Sequence, residues 1–320
     1  MRAPQLLSKP WLLTVGIVVL LCVPFVLNLY FVHLATGVLI FSILSIGLSI
    51  LTRTGQVSIG QAAFFGIGAY SAAIIHKYLG TNLVLEFGGA VLATAVFSVL
   101  LGYITLRMKG IYFSIATLAF TETMLVFAMM ERKIIGGAMG LTVKPLFEGK
   151  IVFVYYLALG LALAALLVSW FSFRAKLGYA SQVIKNDERL ACSIGINPTK
   201  YKISAFVLSA MLSGLAGAFY VHYVTFIVPN EVFSLSISVS VLAMTIFGGA
   251  YSFLGPVIGT VVLKIVEELL RLNITNGHQI GYGIILILSI LFMPDGVVGL
   301  WEKTRSKRPV NIKAEQGRSV

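Results

Sequence analysis

Ten stretches of this chain are apolar over the length that a membrane demands. They run over about 11–32, 34–52, 57–76, 83–106, 111–130, 151–173, 203–222, 235–252, 254–271 and 280–298. Crossing roughly 30 Å of hydrocarbon takes about 20 residues of helix. Lipid offers the backbone no hydrogen bonds, so a spanning segment must satisfy its own, as a helix does. The expected fold is all-α: a polytopic transmembrane helical bundle of about ten spans over 1–301, followed by a polar cytoplasmic tail over 302–320. Spans three and nine are Gly-rich with close neighbours, so either could be a broken or re-entrant segment. The first run is too long for a signal-peptide core and is read as a retained helix.

Charge agrees with this picture. Charged residues make up 11 % of the chain and apolar ones 58 %, whereas a soluble domain carries about 25 % charged residues. The formal net charge of +12 is not gathered on one basic face, which argues against nucleic acid. With the N-terminus inside and every span crossing, 17 of the 24 Lys and Arg residues fall on the inner side and six on the outer, with Lys264 inside a span. That bias supports an even number of spans with both termini inside. Cys22 and Cys192 lie in different kinds of segment, and no disulfide is expected.

Two polar segments interrupt the spans. An outer loop over 131–150 carries Gly136, Gly137 and Gly140. An inner loop over 174–202 mixes apolar Val183, Ile184, Leu190, Ala191 and Ile194 with charge. Gly195 suits a helix end, and Pro198 cannot continue one. One or two short amphipathic helices are expected there, either solvated at the membrane surface or serving as a docking knob for a cytoplasmic partner. Small residues recur at four-residue spacing in span seven (Ala205, Ser209, Ser213, Gly217, beside Ala210, Gly214, Ala218) and in span three (Ala62, Gly66, with Gly68, Ala69 and Ala73 nearby). Such ridges let helix backbones approach closely in lipid.

Ionisable residues within spans are costly and mark function by default. Glu122 sits midway along span five, among Thr117, Thr121 and Thr123, and is expected to be buried as a functional group or a hydrogen-bond anchor. Lys264, Glu267, Glu268 and Arg271 share one face of span nine, near its outer end. Glu86 lies near a helix end and is expected at the interface. His33, His76, His222 and His278 are scattered without metal-ligand spacing, so no metal site is expected. Neither a Gly-x-x-x-x-Gly-Lys-Ser/Thr phosphate loop nor a Gly-x-Ser-x-Gly elbow is present, so the chain should neither hydrolyse ATP nor act as an enzyme, and needs no cofactor.

Several motifs together carry a family resemblance: Gly55-Gln56-Val57-Ser58-Ile59-Gly60-Gln61-Ala62-Ala63-Phe64-Phe65-Gly66-Ile67-Gly68-Ala69-Tyr70, Gly110-Ile111-Tyr112-Phe113-Ser114-Ile115-Ala116-Thr117-Leu118-Ala119, the Gly136–Gly140 loop, Asn186-Asp187-Glu188 through Gly195-Ile196-Asn197, and Pro294-Asp295-Gly296-Val297-Val298-Gly299. From about residue 35 to 300 the chain resembles the LivM-type permease of branched-chain amino-acid ABC importers, of the type II importer architecture. The resemblance implies a second, LivH-like permease as heterodimer partner, two cytoplasmic ABC ATPases, a periplasmic substrate-binding protein and residence in a bacterial inner membrane. It implies that the 177–198 loop docks the ATPase through Lys185, Asn186, Asp187, Glu188, Arg189, Ala191 and Gly195. Importer permeases carry a Glu-Ala-Ala-x-x-x-Gly pattern there. This chain keeps Ala191 and Gly195, replaces the first two positions by Arg189 and Leu190, and has Glu188 one residue early.

A zwitterionic amino acid needs polar groups for its ends and an apolar wall for its side chain. Gln56, Ser58, Gln61, Thr117, Thr121 and Glu122 are the candidate lining, and Gly66, Gly68, Ser209, Ser213, Gly214 and Gly217 the candidate packing residues. Two other functions stay open: a urea or short-amide permease on the same machine, and an ion-coupled secondary carrier with Glu122 as its coupling carboxylate.

Overall fold

A computed structural model describes residues 20–25, 28–80, 82–108, 110–273, 278–292 and 296–297. The first half of span one, the tail over 302–320 and most of the Pro294–Gly299 motif lie outside the described residues. The long helices are α1 (Leu29–Thr52), α2 (Gln61–Leu79), α3 (Leu83–Thr105), α4 (Ile111–Met130), α6 (Ile151–Arg174), α9 (Pro198–Val224), α11 (Leu235–Gly248), α12 (Gly255–Asn273) and α13 (His278–Phe292). Between them lie the short helices α5 (Arg132–Ile135), α7 (Lys176–Asn186), α8 (Glu188–Ser193) and α10 (Pro229–Val232). Six of the described segments are apolar and long enough to cross a membrane: α1, α3, α4, α6, α9, and Pro229–Gly248, which joins α10 to α11.

Three boundaries differ from expectation, each for a local reason. Residues 29–52 form one continuous helix, so the break expected near residue 33 falls instead at Asn28. Span three begins at Gln61, and residues 53–60 before it are not helical. Pro198 does not merely stop a helix. It occupies the first turn of α9, where its missing N–H costs nothing, and the Asn197 side chain before it accepts a hydrogen bond from the Lys200 amide at 3.2 Å. Spans three and nine, doubtful as crossings, each contain an uninterrupted helix of 19 residues, about 28 Å long.

The helix ends sort into two levels. At one level, the knob end, Arg53 Nη2 donates to the Ser252 carbonyl at 3.1 Å and Lys185 Nζ lies 3.2 Å from the Tyr251 ring centroid. The α7–α8 pair projects there. At the other level, the ribbon end, β1 (Leu141–Thr142) pairs antiparallel with β2 (Phe226–Ile227), Leu141 opposite Ile227. The Tyr155 hydroxyl donates to the Leu20 carbonyl at 2.8 Å near the same level.

Helix α2 is the axis of the bundle. From Gln61 to Tyr70 every residue is buried, although the helix is less apolar than α1, α3 and α4. It packs against α9 through small residues. A Cβ added at Gly68 would collide with the Gly214 backbone, and one at Gly217 with the Phe65 carbonyl. Gly66 lies under the Phe233 ring, which stacks on Tyr70 at 5.9 Å. Two helices whose side chains vanish at the crossing can bring their backbones into dispersion contact, the main attraction left when lipid removes the hydrophobic drive. A hydrogen bond at the same crossing is fully buried: Gln61 Nε2 donates to Ser209 Oγ at 3.0 Å, and Ser213 Oγ donates to Gln61 Oε1.

Candidate functional site

The non-helical segment before α2 is the centre of the candidate site. Gln56, Ser58 and Gly60 are buried there, so their backbone groups need partners within the protein. They find them on α4. The Ile59 amide donates to Thr117 Oγ1 at 3.2 Å, and Ser114 Oγ donates to the Val57 carbonyl at 2.5 Å. Ser58 Oγ accepts from the Gly60 amide at 3.0 Å, and Ser238 Oγ on α11 accepts from the Ala62 amide at the same distance. Gly55 sits at φ +84°, a left-handed turn that side chains resist, and its Cα faces Lys185 of the knob. Gly60 abuts Thr117 so closely that a Cβ would strike it.

Five of the six candidate lining residues therefore meet. Gln56, Ser58, Gln61, Thr117 and Thr121 are all buried around this segment. Thr121 Oγ1 donates back to the Thr117 carbonyl at 3.1 Å, Gln61 is engaged by α9, and Gln56 Oε1 is buried with no hydrogen-bond partner among the described residues.

Glu122 stands apart, and the expectation that it is buried is corrected. It is exposed on the chain's own surface. Helix α4 presents Phe113, Ser114, Thr117, Thr121 and Ala128 to the bundle. One residue on from Thr121 is about 100° round the helix, so Glu122 leaves the packed face. It emerges among exposed Ile115, Val126 and Phe127.

The inner loop is two helices. Asp187 ends α7 and caps α8, its carboxylate accepting from the Arg189 amide at 2.7 Å and the Leu190 amide at 3.3 Å. Gly195 at φ +81° turns the chain after α8. Ala180, Ile184 and Ala191 form a small core with Val183, Ile196 and Tyr201. Buried Lys202 on α9 pairs with Glu188, tying the knob to the bundle. Ala191 thus faces inward, while Lys185, Asn186, Asp187, Arg189 and Gly195 are exposed. The apolar residues that α8 and its end present outward are Leu190 and Ile194, four apart.

Two expectations at the ribbon end are overturned. Glu86 is not interfacial but fully buried, and the histidines are not all scattered. His76 and His222 meet on either side of Glu86. Spacing along the chain hid this cluster, because its members come from α2, α3 and α9. A signal was present in α3, whose buried face is Glu86, Ala90, Thr94, Ser98 and Gly102, small or polar residues every fourth position. On α12, Lys264 pairs with Glu267 at 2.9 Å and Glu268 accepts from the Tyr30 hydroxyl.

Known proteins match almost the whole described bundle. The family model described as "Branched-chain amino acid transport system / permease component" matches residues 30–293. The high-affinity branched-chain amino acid transport system permease protein LivM of Salmonella typhimurium is 29 % identical over 92 % of this chain and 76 % of its own length. LivM of Escherichia coli is 28 % identical over the same shares. A probable branched-chain amino acid transport permease protein LivH of Methanocaldococcus jannaschii is 26 % identical over 75 % of this chain and 74 % of its own. With the match spanning nearly all of the helical bundle, this multi-pass membrane protein belongs to the family of permease components of branched-chain amino acid transport systems.

Proposed function

We propose that this chain is the LivM-like half of an ABC importer that carries branched-chain or other hydrophobic amino acids across a bacterial inner membrane. In this reading it crosses about ten times with both termini and the knob end in the cytoplasm. A LivH-like permease pairs with it, two ATPases dock beneath, and a periplasmic binding protein delivers substrate at the ribbon end.

The observation that carries the reading is the knob, set against the absence of a phosphate loop in the chain. Leu190 and Ile194 form an exposed apolar step on a rigid, capped element. Such a step suits a groove on a partner that supplies the energy. Lys185 leans on Tyr251 in the α11–α12 turn, and Gly55 lies against Lys185. A push on the knob is thereby transmitted to the segment holding Gln56 and Ser58. ATP binding can shift the bundle only by its differential affinity for the two states of that linkage.

Glu122 supplies the complementary argument for pairing. A carboxylate on an apolar helix surface needs a second polar surface or a wet cavity, and a partner permease on α4 would provide one. The lining would then be shared, with Gln56, Ser58, Gln61, Thr117 and Thr121 behind Glu122. The test is uptake of radiolabelled leucine into proteoliposomes holding the whole assembly. Uptake should require ATP, stop with vanadate and survive collapse of ion gradients. Dependence on a gradient with vanadate resistance would establish the ion-coupled carrier instead, and urea competing where leucine does not would establish the amide permease. Glu122→Ala and Gln56→Ala should each lower uptake, and unchanged uptake in both would remove them from the lining.

A further inference from the structure

The ribbon end holds a buried cluster that transport as proposed does not use. Glu86 on α3 is fully buried, His222 on α9 is 2 % exposed, and His76 on α2 is 11 % exposed on its side chain. Their ligand-type atoms, one from each residue, all lie within 4.8 Å of one another.

The hydrogen bonds around the cluster assign its protons. His222 Nδ1 lies 3.3 Å from the Lys144 carbonyl, which can only accept. His222 therefore carries its hydrogen on Nδ1 when neutral, and its Nε2 lone pair faces Glu86 Oε2. His76 Nδ1 donates to Glu86 Oε1 at 2.9 Å, and its Nε2 accepts from the Lys144 amide at 3.4 Å. One carboxylate oxygen thus has a donor. The other meets an imidazole nitrogen, and neither atom of that pair makes a hydrogen bond in acceptable geometry among the described residues. A proton shared between them would need an N–H aimed at the oxygen. With one ligand atom from each residue within 4.8 Å of the others, the three side chains are close enough to share a single ion.

We propose that His76, Glu86 and His222 form a binding site for a divalent transition metal of the zinc class, clamping α2, α3 and α9 at the ribbon end. Two imidazoles and a carboxylate are a borderline donor set that zinc accepts, with bonds of about 2.0–2.2 Å. Ligand atoms around a tetrahedral ion of that size lie about 3.3 Å apart, so small side-chain rotations complete the site. His222 already has the outer partner that orients a metal-bound imidazole, its Nδ1–H on a backbone carbonyl. At His76 the ion takes the Nδ1 lone pair, the proton moves to Nε2, and the long bond from the Lys144 amide is given up. A cleft of about 580 Å³ lined by His76, Lys77, Thr142, Lys144 and Thr225 opens beside the cluster. It gives the ion an entry path and leaves a fourth position for water.

The test uses the purified full-length chain, stripped with chelator and supplied with Zn²⁺ alone. Elemental analysis after desalting should find one zinc per chain, and the melting temperature should rise with zinc. His222→Gln and Glu86→Gln should each weaken binding by at least about 100-fold, since losing even an outer partner costs about 10–100-fold. His33→Gln, which bonds Tyr223 outside the cluster, should bind as the parent does. No zinc retained by the parent, or equal retention by the cluster variants, overturns the site and leaves a buried ion pair. Should the variants fail to fold, Co²⁺ bound to the parent provides the second readout. Visible bands of a tetrahedral nitrogen–oxygen environment support the site, and their absence overturns it.

Discussion

Helices α1 and α3 are alike in length, 24 and 23 residues, and close in hydropathy, yet 72 % of the apolar window of α1 is buried in the protein against 22 % for α3. Hydropathy reports that both helices belong in a bilayer. It does not report which of them touches lipid. The distinction lies in where the small and polar residues fall. On α3 they form one stripe from Glu86 to Gly102, and large residues such as Leu92, Val96 and Leu100 point outward. On α1 hydroxyls are buried as well: Ser45 Oγ accepts from Thr260 Oγ1 at 2.9 Å and Ser49 Oγ donates to the Ala250 carbonyl at 2.8 Å. On α3 the polar and the small mark the protein side and the large apolar residues the outer one, because lipid solvates leucine as well as another helix does.

The contrast can be broken most sharply at the α2–α9 crossing. Gly68→Val or Gly217→Val should destabilise the chain by about 3 kcal/mol or more, since the neighbouring backbone cannot yield to the added carbons. Thermal unfolding in detergent checks it, and a melting temperature close to the parent's would mean that the crossing is looser than described. Next in size, the double change Leu190→Asp and Ile194→Asp should lower uptake by tenfold or more. Two apolar anchors at a docking interface are worth about 2 kcal/mol or more. The same protein should melt within about 0.5 kcal/mol of the parent, because both residues are exposed. Full uptake would remove them from the docking face.

Gln61→Leu comes third. It leaves two buried serines without their amide partner and should cost about 1–3 kcal/mol, read by the same unfolding measurement. The smallest effect is expected on the lipid side. Leu100→Ala, at 60 % exposure, should change stability by about 0.5 kcal/mol or less. A loss as large as that at Gly68 would place a partner helix on α3 and not lipid.

Much of this molecule was legible before any coordinates. Apolar runs of membrane length located α3, α4 and α6 to within a residue and α1 and α9 to within five, because a backbone in lipid must satisfy its own hydrogen bonds, as a helix does. The four-residue ridge from Ala205 to Gly217 pointed to close packing, and the mixed apolar and charged run ending at Gly195 to one or two short amphipathic helices on the inner loop. These are local signals, written in spacing along one element.

What escaped was set by rotation about the helix axis and by distance across the bundle. Glu122 is one residue past Thr121, and only the packing of α4 decides that Thr121 faces inward and Glu122 out. Ala191 and Leu190 divide in the same way on α8. His76, Glu86 and His222 are as much as 146 positions apart in the chain and meet only because α2, α3 and α9 share one end of the bundle. The sequence by itself determined that the chain would be a helical membrane protein, since length and apolarity decide a segment's solvent. The tertiary structure alone decided which polar groups face one another, since that depends on helix rotation and register, and no single helix carries that information.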